Sequence, residues 1–261
     1  MEHKRVLVVE DESTIRKIIK HILGDGYEVF FEETASDAIT FALNKRPDVV
    51  LLDLTLKGST GFEVLDAFKQ SDELKSIPII VMTKRSNEAN VVTSLEKGAV
   101  CIIPKPIIPD ILRSRVSKYI GRKVVFSIEK IQEKPLVLIC DDTPSEIRTM
   151  VNLIGDEFDT IVSTSAESAI ELISNKENRK PDIFVIDAIL GPGMSGLEFT
   201  QYLKDSPNHK SAPVIMNTNA LDMVEDEITA INNGADEYLI KSQNCAAIVK
   251  AKLKSLIRQS F

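Results

Sequence analysis

Short, wholly apolar runs alternate along this chain with segments whose apolar residues recur every three to four positions. Val6-Leu7-Val8-Val9 is the first such run, and its lack of polar alternation fits a strand of a parallel sheet covered on both faces. Ile15, Ile18, Ile19, Ile22 and Leu23 then share one helical face, closed by Gly24 and Gly26. Val49 to Asp53 and Ile79 to Thr83 read as further strands, and a short strand before Lys105 precedes a closing amphipathic helix. The whole order then recurs. Leu136-Val137-Leu138-Ile139 opens the second copy, Ile147, Met150, Val151 and Ile154 form its first helix with Gly155 as stop, and strands follow at Ile183 to Asp187 and Val214 to Thr218. Pro47-Asp48 and Pro181-Asp182 introduce the third strand of each copy, and Lys241 stands where Lys105 does. An internal repeat of five strands and five helices, joined by right-handed crossovers, predicts an α/β protein of two tandem doubly wound five-stranded parallel sheets. The copies are expected at 4–121 and 135–261, with 122–134 between them. That stretch mixes Arg122, Lys123, Glu129 and Lys130 with Val124, Val125, Phe126, Ile128 and Ile131. It is too apolar for a floppy tether, and either extends the last helix of the first copy or packs between the domains.

The 261 residues suit two cores, and a composition of 43% hydrophobic and 27% charged residues is that of ordinary soluble protein. No apolar run approaches the length of a membrane span, and the N-terminus lacks the apolar segment of a signal peptide, so a cytoplasmic protein without membrane contact is expected. A net charge of -7 argues against nucleic acid as a partner. Lys250, Lys252, Lys254 and Arg258 form the one basic run; interleaved with Val249, Leu253, Leu256 and Ile257, it reads as the solvated face of the last helix. Cys101, Cys140 and Cys245 are too few and scattered for a disulfide framework or a metal pair.

In an open α/β sheet, ligands sit beyond the carboxyl ends of the strands where the strand order reverses. The notable polar residues fall there: Glu10, Asp11, Asp53, Thr83 and Lys105 in the first copy, and Asp141, Asp142, Asp187, Thr218 and Lys241 in the second. Converging carboxylates repel one another unless a cation intervenes. Hard oxygen donors suit Mg²⁺, which binds through one or two carboxylates together with phosphate oxygens, so the pattern points to phosphoryl transfer. A single acidic residue at a strand end is usually a cap; the same five-residue order twice over is not.

Across residues 4–121 and 135–261 the sequence resembles the CheY-like receiver domains of two-component systems, a flavodoxin-like fold. The likeness rests on Val8-Val9-Glu10-Asp11-Glu12-Ser13, Val50-Leu51-Leu52-Asp53-Leu54, Val81-Met82-Thr83 and Pro104-Lys105-Pro106. In the second copy it rests on Ile139-Cys140-Asp141-Asp142, Val185-Ile186-Asp187, Ile215-Met216-Asn217-Thr218 and Tyr238-Leu239-Ile240-Lys241. The resemblance implies that Asp53 and Asp187 are phosphoacceptors served by a histidine kinase or a histidine phosphotransfer protein. It implies one Mg²⁺ per domain, held by Glu10, Asp11, Asp53 and the Thr55 carbonyl, and by Asp141, Asp142, Asp187 and the Ile189 carbonyl. Lys105 and Lys241 would pair with a phosphoryl oxygen, and Thr83 and Thr218 would donate to another. Tyr238 would be the aromatic switch partner, on a surface of helix four, strand five and helix five that binds a downstream protein target or a second copy.

Departures from the family pattern predict unequal domains. Ile102 stands where Tyr238 stands in the second copy; Lys84 follows Thr83 where a small residue is usual; and Lys241 precedes Ser242 rather than proline, so a less firmly held lysine is expected there. Gly61 lies eight residues after Asp53, but Gly196 lies nine after Asp187, the extra residue falling in Gly191-Pro192-Gly193. Asp53 is therefore favoured as the main phosphoacceptor, with the second domain as a docking or dimerisation scaffold the alternative. The chain ends one helix after Lys241, so output through protein contact rather than a separate domain is expected. A metal-dependent phosphohydrolase would want an aspartate two residues after its nucleophile, where Thr55 and Ile189 stand. Self-catalysed phosphorylation and dephosphorylation is the only chemistry expected.

Overall fold

The structure, a computed structural model, describes residues 3–84, 88–126, 133–219 and 223–260. The chain divides into two compact units, Met1–Ser127 with Arg258–Phe261, and Ile128–Ile257.

In the first unit β1 (Arg5–Val9), α1 (Ser13–Leu23), β2 (Glu28–Glu32), α2 (Ala35–Lys45), β3 (Val49–Asp53), α3 (Gly61–Gln70), β4 (Ile79–Lys84), α4 (Glu88–Glu96), β5 (Cys101–Lys105) and α5 (Pro109–Tyr119) follow in order. The strands are all parallel and arranged β2-β1-β3-β4-β5. The continuous apolar runs are explained by burial on both faces. Val6, Val8, Val49 and Leu51 pack with Ile19, Ile22, Leu112 and Val116 on one side. Leu7, Val9, Val50 and Leu52 pack with Ala38, Ala42, Val64 and Phe68 on the other. Successive strand residues point to opposite faces, so a run without polar residues needs a helical layer on each.

The second unit repeats this with β6 (Leu136–Cys140), α6 (Pro144–Ile154), β7 (Asp159–Ser163), α7 (Ala166–Ser174), β8 (Ile183–Ile186), α8 (Gly196–Asp205), β9 (Val214–Thr218), α9 (Met223–Asn232), β10 (Glu237–Ile240) and α10 (Ala246–Arg258). Its sheet order, β7-β6-β8-β9-β10, is the same. The two Pro-Asp pairs have a common role. Asp48 and Asp182 each accept the first backbone N–H of the opening strand, from Arg5 of β1 and from Leu136 of β6, at 2.8 Å. Each carboxylate thereby satisfies a donor that the ladder leaves open.

Two features add to the sequence expectation. Of the two courses left open after the first copy, extension of its last helix is not the one taken. That helix ends at Tyr119, Gly121 turns the chain at φ +72°, and Val124 enters the first core. Val125–Phe126 then pair antiparallel with Gln259–Ser260, all within the first unit, whereas the sequence groups 258–261 with the second copy. Most of the intervening stretch, 127–132, lies outside the described residues. The basic run of α10 is also not simply solvated. Lys250 pairs with Asp156 at 2.7 Å, Lys252 with Glu237 at 3.3 Å, and Lys254 with Glu157. Among the described residues no helix is long and apolar enough to cross a membrane.

The extra residue near Gly191 is absorbed within its loop. Gly196 N donates to Ala188 O at 3.1 Å as Gly61 N donates to Leu54 O at 2.9 Å, and both helices begin with a capping box, Thr60/Glu63 and Ser195/Glu198. A Cβ on Gly61 would sit 2.3 Å from the Asp53 carbonyl oxygen, and one on Gly196 only 1.7 Å from that of Asp187. Glycine is therefore required where the helix presses against the acidic strand end. Gly61→Ala and Gly196→Ala are each expected to cost about 2 to 3 kcal/mol in chemical denaturation. Gly26→Ala, with nothing within 4 Å of the added carbon, should change stability little.

Candidate functional site

The strand order reverses at β1 and β3, and the polar residues singled out from the sequence gather at the carboxyl ends there. In the first unit Lys105 Nζ lies 2.8 Å from Glu10 Oε2 and 2.5 Å from Asp53 Oδ2. Asp53 Oδ1 accepts from the Thr55 backbone N–H at 3.1 Å, and Glu10 Oε1 from that of Glu12 at 3.2 Å. Glu10 and Asp53 are buried, while Asp11 is partly open. The second unit reproduces the arrangement. Lys241 Nζ lies 2.6 Å from Asp141 Oδ2 and 2.7 Å from Asp187 Oδ2. The Ile189 N–H donates to Asp187 Oδ1 at 3.3 Å and the Thr143 N–H to Asp141 Oδ1 at 2.9 Å. Asp142 is exposed.

In each unit the three carboxylates offer oxygens within 4.8 Å of one another. Three anions face one ammonium, an excess of negative charge that attracts a cation. The donors are all carboxylate oxygens without His or Cys, and a rim open to solvent leaves room for water, so the residues fit a hydrated hard cation such as Mg²⁺. Burial pushes the Glu10 carboxyl above its usual range, and nearby Asp53 adds to this, against the opposing pull of Lys105. Burial likewise raises Asp187, against the pull of Lys241. Burial alone would lower both lysines; hydrogen bonds and charge attraction from the two carboxylates outweigh it, so Lys105 and Lys241 are raised and stay charged.

Thr83 and Thr218 are buried at the ends of β4 and β9, and Tyr238, 6% exposed, packs into the core at the position that Ile102 occupies in the first unit. Thr55 and Ile189 follow their aspartates by two residues. Both side chains face solvent, and Ile189 is 68% exposed. The Lys84 side chain lies outside the described residues. Cys101 and Cys140 are core residues; burial pushes the Cys140 thiol up to about 12, which makes it inert.

The expectation of a loosely held Lys241 is not met. Lys105–Pro106 is cis, whereas Lys241 leads into a short 3-10 turn, Lys241–Gln243. The loop beyond it is tied to β9 by the Asn244 side-chain amide, which donates to Asn217 Oδ1 at 2.8 Å. The lysine side chain is only 4% exposed. Two groups escaped the sequence reading: this Asn217–Asn244 bridge, and Arg16 on α1, which donates to the Glu10 and Asp11 carbonyls. Asn217 stands in a motif quoted above, but its partner Asn244 and Arg16 do not.

Fold and site together define a doubly wound α/β module with an acidic, lysine-paired site at its strand ends, present twice. A family model described as the response regulator receiver domain matches residues 6–117 and again 137–252. The chain belongs to that family, as a tandem of two receiver domains. The phosphate regulon transcriptional regulatory protein PhoB of Pseudomonas aeruginosa is 35% identical over 123 residues, 47% of this chain and 54% of PhoB. The response regulator PleD of Caulobacter vibrioides is 24% identical over 280 residues, 96% of this chain and 59% of PleD. Among solved structures, the chemotaxis response regulator CheY4 of Vibrio cholerae matches at 28% identity with a TM-score of 0.43, covering 46% of this chain and 100% of CheY4. The chain thus spans a little over half the length of these curated relatives. Receiver domains are the phosphoacceptor modules of two-component signalling.

The buried lysines give a test of the electrostatics. Lys105→Met or Lys241→Met leaves two buried carboxylates without their cation, and should cost its domain about 3 to 5 kcal/mol at neutral pH. A carboxyl whose folded-state pKa is raised loses stability as pH rises through that value. The penalty should therefore be largest where both carboxyls are ionised and shrink as pH falls through the raised pKa of Glu10 or Asp187, in denaturation curves measured across pH.

Proposed function

We propose that Asp53 and Asp187 each accept a phosphoryl group from the phosphohistidine of a histidine kinase or a histidine phosphotransfer protein, and that the transfer changes which protein each domain binds. The observation that supports this most is the duplicated constellation: two buried acidic groups, a more open third and a lysine paired to two of them, at the same strand ends of both sheets.

The carboxylate of Asp53 is held at both oxygens, by the Thr55 N–H and by Lys105. Attack on phosphorus forms an acyl phosphate and breaks the phosphorus–nitrogen bond of the donor, whose imidazole departs with the electron pair. Asp187, held by the Ile189 N–H and Lys241, is placed to do the same. Mg²⁺ held by Glu10, Asp11, Asp53 and the Thr55 carbonyl, and by Asp141, Asp142, Asp187 and the Ile189 carbonyl, one per domain, supplies the charge neutralisation that lets two anions meet. Lys105 and Lys241 exchange a carboxylate oxygen for a phosphoryl oxygen, and the Thr83 and Thr218 hydroxyls donate to another. Moving either threonine inward shifts the end of β4 or β9, and Tyr238 offers the second domain an aromatic ring that responds to that shift. A local charge change then biases the surface of α4, β5 and α5, or of α9, β10 and α10, towards a downstream protein or a second copy of the chain.

Because the second site is as well enclosed as the first, both domains are expected to react. Intact-mass analysis after treatment with acetyl phosphate and Mg²⁺ should show up to two phosphoryl additions, with one lost in Asp53→Asn and the other in Asp187→Asn. Addition that persists in the double variant would refute the assignment. Mg²⁺ at about a hundred times its Kd should stabilise each domain by about 2.7 kcal/mol. That stabilisation should vanish from the first domain in Asp11→Asn and from the second in Asp142→Asn.

A further inference from the structure

Arg16 lies in the first turns of α1, which begins at Ser13. Its Nη1 donates to the backbone carbonyl of Glu10 at 2.9 Å and to that of Asp11 at 3.0 Å. Its Nη2 pairs with the Glu33 carboxylate at 2.8 Å, just beyond the end of β2. The Arg16 side chain is only 20% exposed, so its bonds to the two carbonyls are partly shielded from water, while Glu33 stays open to solvent. Glu10 is the last point at which the chain still follows the sheet, its N–H donating to Glu32 O at 3.0 Å. Beyond it the backbone turns towards α1 and carries Asp11 at the rim. One guanidinium nitrogen bonded to both carbonyls fixes the two peptide planes on either side of Asp11, and with them the directions in which the Glu10 and Asp11 carboxylates leave the backbone.

The second unit solves the same problem differently. The residue at the same distance from its acidic pair is Ile147, a buried core residue, and there the Thr143 hydroxyl donates to Asp142 Oδ1 at 3.2 Å instead. The two units thus share their ligand carboxylates but not the groups that aim them.

We infer that Arg16 is a positioning residue for the cation-binding carboxylates of the first domain. This rests on the reading above that Glu10, Asp11 and Asp53 bind a divalent cation. Two effects of Arg16 oppose each other, and the sign of the outcome separates them. As a positive charge close to the site, Arg16 repels a cation, so its removal would tighten binding. As a fork holding two carbonyls, it preorganises the carboxylates; losing such a supporting group typically weakens metal affinity by about 10- to 100-fold. Lysine keeps the charge but not the planar fork.

The test uses the full chain carrying Asp142→Asn, which silences the second site, and titrates it with Mg²⁺ by isothermal calorimetry. With Arg16 present, one Mg²⁺ should bind. Both Arg16→Gln and Arg16→Lys should raise the Kd by about tenfold or more with the stoichiometry unchanged, and Glu33→Gln should change it far less. A purely structural role would lower the Mg²⁺-free melting midpoint while leaving the Kd of the folded protein as it was, and would overturn the inference. So would tighter binding in Arg16→Gln, or full affinity in Arg16→Lys. Absence of Mg²⁺ binding with Arg16 in place would instead remove the underlying reading, and the inference with it.

Discussion

A lysine ammonium buried between two carboxylates is the interaction around which each domain is built. Taken out of water, Glu10 and Asp53 would repel each other, and burial already lifts the Glu10 carboxyl above its usual range. Lys105, 13% exposed and within 2.8 Å of both, makes the arrangement tolerable without neutralising it. Lys241 does the same for Asp141 and Asp187 at 4% exposure. A third carboxylate at each rim leaves the cluster short of positive charge. Such an excess of negative charge suits a further hard cation.

The rest of the fold serves to hold these groups at one spot. Parallel strands buried on both faces bring β1, β3 and β5 to a common edge, and the strand order 2-1-3-4-5 opens a crevice there. Asp48 and Asp182 close the opposite ends of β1 and β6 by accepting the first N–H of each. Gly61 and Gly196 let a helix start directly against the carbonyls of Asp53 and Asp187. The strand ends are thus pinned from below by backbone ladders and from the side by helices that admit no extra carbon.

Much of this was legible in the sequence because it rests on short-range periodicity and on duplication. Runs such as Val6 to Val9 and Val137 to Ile139 mark strands, and the recurrence of acidic pair, aspartate, threonine and lysine marks the site twice. What was not legible depends on contacts distant in the chain. The pairing of Val125–Phe126 with Gln259–Ser260 joins two-residue strands that carry no periodic signal. The ion pairs that cover the basic run of α10 involve Asp156, Glu157 and Glu237, none near it in sequence. Lys241 looked poorly supported because no proline follows it. Its loop is tied instead by an amide bridge between Asn217 and Asn244, two residue types that do this work in no fixed motif. Gly196, one residue out of step, reaches its place because the Gly191-Pro192-Gly193 loop takes up the excess.

The central claim is that two particular aspartates form acyl phosphates. Borohydride reduces an aspartyl phosphate to homoserine, so peptide mapping of the full chain after acetyl phosphate, Mg²⁺ and borohydride reads the modified positions directly. Homoserine at positions 53 and 187, dependent on Mg²⁺ and absent from the untreated chain, is the result expected. Reduction at neither position, or at other carboxylates in their place, would contradict the account.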